Sequence, residues 1–234
     1  LNVSPANAGR IQISTVTPET YPWSGVYFNG NPVTITAIPN PGFTFNHWSS
    51  PIVIGGNDPN QVATYNFSDT DVVTAHFTGS AVTPQLTISE FNYNSSSVFP
   101  ADDWIELHNY GAIPLNISGW ALKDENDFNT FTFPVGTVIP ANGYLVVAED
   151  LAQFKSVYPL VTNVIGTLGF SISNTGDQIR LLKNNGVVFK SFYYQTLSPW
   201  PVAPDGQGYT CELSSNTADL NDGASWFAGC IGGS

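Results

Sequence analysis

Three histidines, His47, His76 and His108, are the side chains of this chain best suited to general-base work near neutral pH. Nucleophilic catalysis would need one of them beside a Ser, Thr or Cys and oriented by a third group. His47 precedes Trp48, His76 falls in the apolar run Val72-Val73-Thr74-Ala75-His76-Phe77, and His108 lies in Trp104-Ile105-Glu106-Leu107-His108-Asn109. No G-x-S-x-G elbow, phosphate-binding glycine loop or H-E-x-x-H pattern accompanies them. Asp102 and Asp103 are adjacent acids, whereas glycosidase carboxylates flank a bond from two sides. They read as a solvated loop or strand cap before Trp104. Glu106 and Asp177 read as structural hydrogen-bond acceptors at sheet corners. Asp124, Glu125 and Asp127, interleaved with Asn126 and Asn129, offer hard oxygens of the kind Ca²⁺ takes. The EF-hand spacing and its glycine are missing, so a plain polar turn is the favoured reading. The residues predict no catalytic group and no cofactor.

Aromatic side chains could instead build a binding platform, because flat rings stack on sugar faces. Trp48, Trp104, Trp120 and Trp226 sit within alternating strand motifs and are assigned to the core. Tyr21, Trp23, Tyr27, Phe28 and Trp200 have no such context, and an exposed patch of them would be a binding surface. The two cysteines, Cys211 and Cys230, are even in number in a Lys-poor, Asn-rich chain. That composition suits an oxidising compartment and predicts a Cys211–Cys230 disulfide.

Charge excludes one class of function. The net charge is −12, from 18 acidic and 6 basic residues, and no basic patch exists to meet a phosphate backbone. Nucleic acid is therefore not an expected partner. No apolar run approaches the roughly 18 residues of a membrane span. Only 10% of residues are charged, while Asn, Ser, Thr and Gly abound, as in secreted β-proteins rather than cytosolic helical enzymes. The chain starts at Leu1 and contains no Met. This reads as a piece of a longer exported protein whose signal lies elsewhere, with an extracellular or cell-surface location.

The positioning elements read as strands. Val33, Ile35 and Ala37 alternate with Thr34 and Thr36 ahead of a Pro39-Asn40-Pro41-Gly42 turn. Gly79-Ser80-Ala81-Val82-Thr83-Pro84-Gln85 has linker composition. Leu86 to Phe91 and Gly143 to Ala148 alternate as strands, and Asn184-Asn185-Gly186 joins two alternating runs as a hairpin turn. One helix is predicted after the N-cap Asp150, with Leu151, Phe154, Val157 and Tyr158 on its apolar face and Pro159 as its stop. Covering an end of the packed strands is its expected task.

Several of these motifs, in this order, carry a family resemblance. Asp103-Trp104-Ile105-Glu106-Leu107-His108-Asn109, Ser118-Gly119-Trp120-Ala121-Leu122-Lys123-Asp124, Phe133-Pro134-Val135-Gly136-Thr137 and Ser173-Asn174-Thr175-Gly176-Asp177-Gln178-Ile179-Arg180-Leu181 resemble the lamin tail domain. The Pro204-Asp205-Gly206 turn and the Trp226 to Ser234 ending extend the match over about residues 85–234. Gly9, Ile11, Tyr21 to Trp23, Gly42, Phe45, Trp48 and Phe77 follow the pattern of the divergent internalin-type B-repeat over about residues 1–79. The resemblance implies an all-β chain in which a small β-module precedes an immunoglobulin-like β-sandwich with one short helix. The pairing is similar to the accessory region downstream of a secreted bacterial catalytic or kinase-like (CotH-type) domain. It implies a non-catalytic role in spacing, adhesion or presentation, with an extracellular protein or glycan as partner. A carbohydrate-binding module would show an exposed aromatic row. A cryptic hydrolase would show a pocket where His108 and carboxylates converge, and a pure spacer would show neither.

Overall fold

Alternation of apolar residues decides which face of each strand is buried, and that pattern builds two separate cores. The computed structural model describes residues 1–67, 70–81 and 83–232. It divides into two compact units, Leu1–Thr83 and Pro84–Ser234.

The first unit contains β1 (Asn2–Ser4), β2 (Gly9–Ile13), β3 (Pro32–Pro39), β4 (Phe43–Ser49), β5 (Asn57–Asp58), β6 (Val62–Asn66) and β7 (Thr74–Gly79). β2, β3 and β6 form an antiparallel sheet with Ile11 opposite Ala37 and Ile13 opposite Ile35. The second sheet runs β1-β7-β4-β5, with β1 parallel to β7. Every second residue of β2 and β3 enters the core, where Ile11, Ile35 and Ala37 meet Trp48, Ala75 and Phe77. Trp48 is fully buried, and its indole N–H donates to the Asn60 carbonyl at 2.9 Å, so its polar end has a partner. Gly42, at φ 85°, turns the chain from β3 into β4, a conformation a side chain would strain.

The second unit contains β8 (Leu86–Asn92), β9 (Trp104–Asn109), β10 (Leu115–Asn116), β11 (Ala121–Lys123), β12 (Phe131–Thr132), β13 (Val138–Ile139), β14 (Gly143–Ala148), α1 (Leu151–Val157), β15 (Val164–Gly166), β16 (Asp177–Leu182), β17 (Val188–Tyr194), β18 (Tyr209–Leu213) and β19 (Trp226–Ile231). A six-stranded sheet of order β15-β14-β9-β8-β18-β19 and a four-stranded sheet of order β12-β11-β16-β17 supply its core, while β10 pairs with β13. The six-stranded sheet contributes Ile88, Phe91, Ile105, Leu107, Val147 and Trp226. Leu122, Ile179, Leu181, Phe192 and Tyr194 come from the other sheet. Aromatic contacts join the two layers: between ring centroids, Phe91 lies 4.9 Å from Tyr194 and Trp226 lies 5.2 Å from Phe192. Gly186, at φ 79°, sits in the turn between β16 and β17, where the Lys183 N–H donates to the Val187 carbonyl.

Two expectations are corrected here. Cys211 and Cys230 are free. Cys211 stands opposite Ala228 with its thiol in the core, and the register shift between Tyr209 and Cys211 carries Cys230 past that position into solvent. The Cys230 N–H donates to Glu212 Oε1 at 3.3 Å, and Glu212, as the next residue, faces away from Cys211. A disulfide needs its two Cβ atoms to face each other. The second correction concerns the helix. Asp150 caps it as the sequence predicts, its Oδ1 accepting from Ala152 N at 2.8 Å and Gln153 N at 3.0 Å. Phe154 then packs with Trp104, Val146, Ala148 and Val164. The helix therefore roofs the outer face of the six-stranded sheet instead of closing an end of the sandwich.

Candidate functional site

On β9 the inward residues are Ile105 and Leu107, so Trp104, Glu106 and His108 point to the outer face. Glu106 stands opposite Glu90 of β8, and Glu90 stands opposite Glu212 of β18. Three glutamates thus form one row across three adjacent strands. Like charges placed directly opposite destabilise a sheet, so this row is a local rule broken, as functional sites break them. Burial pushes the Glu106 carboxyl up to about 7; the hydrogen bond from Ser89 opposes the rise, and the charges of Glu90 and Glu212 add to it. Ser89 Oγ donates to Glu106 Oε1 at 2.6 Å.

Between this row and the α1 roof lies a cavity of about 620 Å³, within the roughly 300–1,000 Å³ of small-ligand pockets. Glu90 and Glu106 sit at its floor, and Trp104, Tyr144, Phe154 and Tyr158 are its aromatic walls. Trp104 stands edge-on to Phe154 and Tyr158, at 5.9 and 6.3 Å between centroids. Trp104 is 4% exposed, yet its indole N–H has no hydrogen-bond partner among the described residues. Burial and the Glu90 charge push the Tyr158 hydroxyl up to about 12.

The predicted site residues are distributed differently. His108 shares the outer face with Glu106 but stacks on Tyr144 at 4.0 Å, and its Nδ1 lies 2.8 Å from Asn216 Oδ1. It does not line the cavity, nor does any Ser, Thr or Cys among the described residues. The convergence of His108 with carboxylates in one pocket is thus not formed there. A Ser–His contact occurs in the first unit, Ser49 Oγ to His76 Nε2 at 2.8 Å, but His76 stacks on His47 at 4.4 Å with no carboxylate hydrogen-bonded to either ring among the described residues. Asp103 is no solvated cap. It is buried, accepts from Ile172 N at 2.8 Å, and burial together with Glu149, Asp102 and Asp177 raises it to about 8.

The 124–127 turn holds the Arg180 guanidinium through one carboxylate and one main-chain carbonyl. Arg180 Nη1 meets Asp127 Oδ1 at 2.7 Å and Arg180 Nε donates to the Asp124 carbonyl at 2.8 Å. The Asp124 carboxylate accepts from Asn126 N and Asn129 Nδ2, and Glu125 N donates to Asp177 Oδ1. No group of three or more His, Cys, Asp or Glu with metal-binding geometry occurs among the described residues.

The aromatic surface read from the sequence is corrected. Trp200 is 5% exposed and stacks with Phe192 and Trp226 in the sandwich core. Tyr21, Trp23 and Tyr27 pack against the core of the first unit, and the Tyr21 hydroxyl lies 2.6 Å from Ile11 N. Of the five, only Phe28 is largely exposed, at 82%. The Glu90–Glu106–Glu212 row was missed in the sequence. Its signal was a glutamate inside each of two strand motifs, Leu86-Thr87-Ile88-Ser89-Glu90-Phe91 and Trp104-Ile105-Glu106-Leu107.

Two facing sheets with aromatic contacts across them define the second unit as an immunoglobulin-like β-sandwich, in an all-β chain with one short helix. Residues 79–196 match the Lamin Tail Domain family, and the chain belongs to it. Residues 2–81 match the Divergent InlB B-repeat domain, in the order the motifs predict. The Lamin Tail Domain match ends before β18 and β19, which nevertheless complete the sheet beside β8. No curated protein and no solved structure matches the chain. The two domains found are non-catalytic binding or structural modules. No helix among the described residues is long and apolar enough to cross a membrane.

Proposed function

We propose that this chain is the non-catalytic accessory region of a surface-exposed or secreted protein, in which the lamin tail unit acts as an interaction module. The single observation that carries the reading is the roofed cavity on its outer sheet face, which sets carboxylates among aromatic walls. Such a lining suits a ligand that offers positive charge and apolar surface. The B-repeat match and the low content of charged residues, 10%, support placement outside the cell. The first unit serves as the spacer that presents the module, and a protein or glycan of the surroundings is the partner.

Two measurements test this. Protease shaving and antibody labelling of intact cells should reach the chain; complete protection until lysis would overturn the location. Incubation with chromogenic glycosides and esters should give no turnover above buffer. Hydrolysis by the intact chain that Glu106→Gln abolishes would overturn the non-catalytic reading.

A further inference from the structure

We infer that the cavity between α1 and the outer face of the six-stranded sheet binds a lysine side chain presented by an extended partner polypeptide, its ammonium seated on Glu106 and its stem lying along Trp104. This deepens the interaction-module reading and rests on it.

Four observations converge. The floor holds two carboxylates, Glu90 and Glu106, with Glu212 next in the row, so the site carries negative charge that a cation would offset. Glu106 faces the cavity and already has Ser89 on Oε1. The walls are apolar and aromatic, which suits a methylene stem and places rings near an ammonium for cation–π attraction. Finally, the Trp104 N–H is buried without a partner among the described residues, which leaves a donor for an acceptor on the ligand. Trp104 and Glu106 are two residues apart on one face of β9, about 7 Å at strand rise. A lysine spans that separation, with Nζ at Glu106 and its main-chain carbonyl at the Trp104 indole. The chain itself carries a net charge of −12, so basic partners are also drawn to it at long range.

Binding should depend on pH. Glu106 titrates at about 7, and the groups facing it are Glu90, Glu212, Tyr144, Tyr158 and, two residues along its strand, His108. An ammonium seats on the ionised carboxylate, so affinity rises as pH rises through the titration of Glu106, by about tenfold between pH 6 and pH 8.

The test uses the whole chain and calorimetry, with indole fluorescence as a second readout. The probes are acetyl-Ala-Lys-Ala-amide, the same peptide with norleucine for lysine, n-butylamine and chitotriose. The lysine peptide should bind at least about tenfold more tightly than the norleucine peptide, since the ammonium contact is worth at least one decade. Glu106→Gln should remove that preference while leaving the fold intact by circular dichroism, and Trp104→Phe should weaken the lysine peptide severalfold. Equal binding of the two peptides, or an unchanged preference in Glu106→Gln, would overturn the proposal. Butylamine binding as tightly as the lysine peptide would refute the polypeptide source, and chitotriose displacing the peptide at lower concentration would assign the site to glycans. Absence of any lysine binding by a chain that intact cells do display would sink this inference alone, whereas a chain hidden inside the cell would sink the functional reading beneath it.

Discussion

Replacing Asp103 by Asn should flatten the pH dependence of stability of the lamin tail unit. Asp103 is 7% exposed, and its Oδ2 accepts the Ile172 N–H at 2.8 Å. Burial is the chief reason its carboxyl rises from 3.8 to about 8; the Ile172 hydrogen bond opposes it, and Glu149, Asp102 and Asp177 reinforce it. Because the folded-state value lies above the unfolded one, the stability this group contributes is complete below about pH 4 and is lost as pH rises toward about pH 8. Inside that window each pH unit removes ~1.4 kcal/mol. From about pH 5 to about pH 8 the loss is therefore ~4 kcal/mol at most, set against a total of ~5–15 kcal/mol for a domain. Asn keeps an oxygen for the Ile172 N–H and has no proton to lose. Urea unfolding followed by tryptophan fluorescence at several pH values should find Asp103→Asn no more stable than the parent near pH 5. Near pH 8 it should be more stable by ~2–4 kcal/mol. Glu106, which titrates in the same direction, is present in both proteins, so the difference isolates Asp103. Parallel pH profiles for the two proteins, with unchanged denaturant slopes, would refute the reasoning.

Glu106→Gln should likewise gain stability above about pH 7, because it removes a carboxyl raised from 4.5 to about 7 from a like-charged row; unfolding near pH 8 that is no harder for the variant counts against the row being strained. Thiol labelling of the native protein should modify one cysteine quickly, the exposed Cys230, and the buried Cys211 only after unfolding; a protein in which neither thiol reacts after denaturation would restore the disulfide. Asp150→Ala should cost the helix about 1 kcal/mol by leaving the Ala152 and Gln153 N–H groups without their acceptor; hydrogen exchange in α1 should rise while exchange in β8 and β9 stays slow, and unchanged exchange in α1 would contradict the capping role.

Alternation made the strands legible. Val33, Ile35 and Ala37 are buried in β3 as the pattern demands, and the Asn184-Asn185-Gly186 turn joins β16 to β17. Asp150 and the apolar face of 151–158 gave the helix, because an N-cap is a purely local device. What the helix covers is not local. Its apolar stripe could pack on any exposed apolar surface, and only the tertiary register brings Phe154 onto Trp104 and Val146. The cysteine pairing failed for a related reason. A one-residue shift between β18 and β19 decides which face Cys230 takes, and period-two alternation cannot see a bulge. Trp200 failed because it lies in a loop with no alternation around it, although its ring completes a stack with Phe192 and Trp226.

The site was legible only in fragments. Glu90 and Glu106 each sit inside a strand motif, and a lone acid in such a position is ordinarily assigned a structural hydrogen bond. That reading holds for Asp177, which accepts from Ser173 N and Glu125 N at a corner. It is incomplete for Glu106, because Ser89 takes one oxygen while the cavity and two further glutamates face the rest of the group. The difference arises from strand order, not from either strand. β8 lies between β9 and β18, and β18 comes about 120 residues later, so the third glutamate joins the row only when the sheet is assembled. A sheet that sought stability alone would place an apolar or a basic partner beside Glu90. Keeping acids on all three strands, two of them lining the cavity under α1, raises the free energy of the sheet. A cation that enters the cavity recovers that energy on binding, and this makes Glu106 and its neighbours in the row a recognition element.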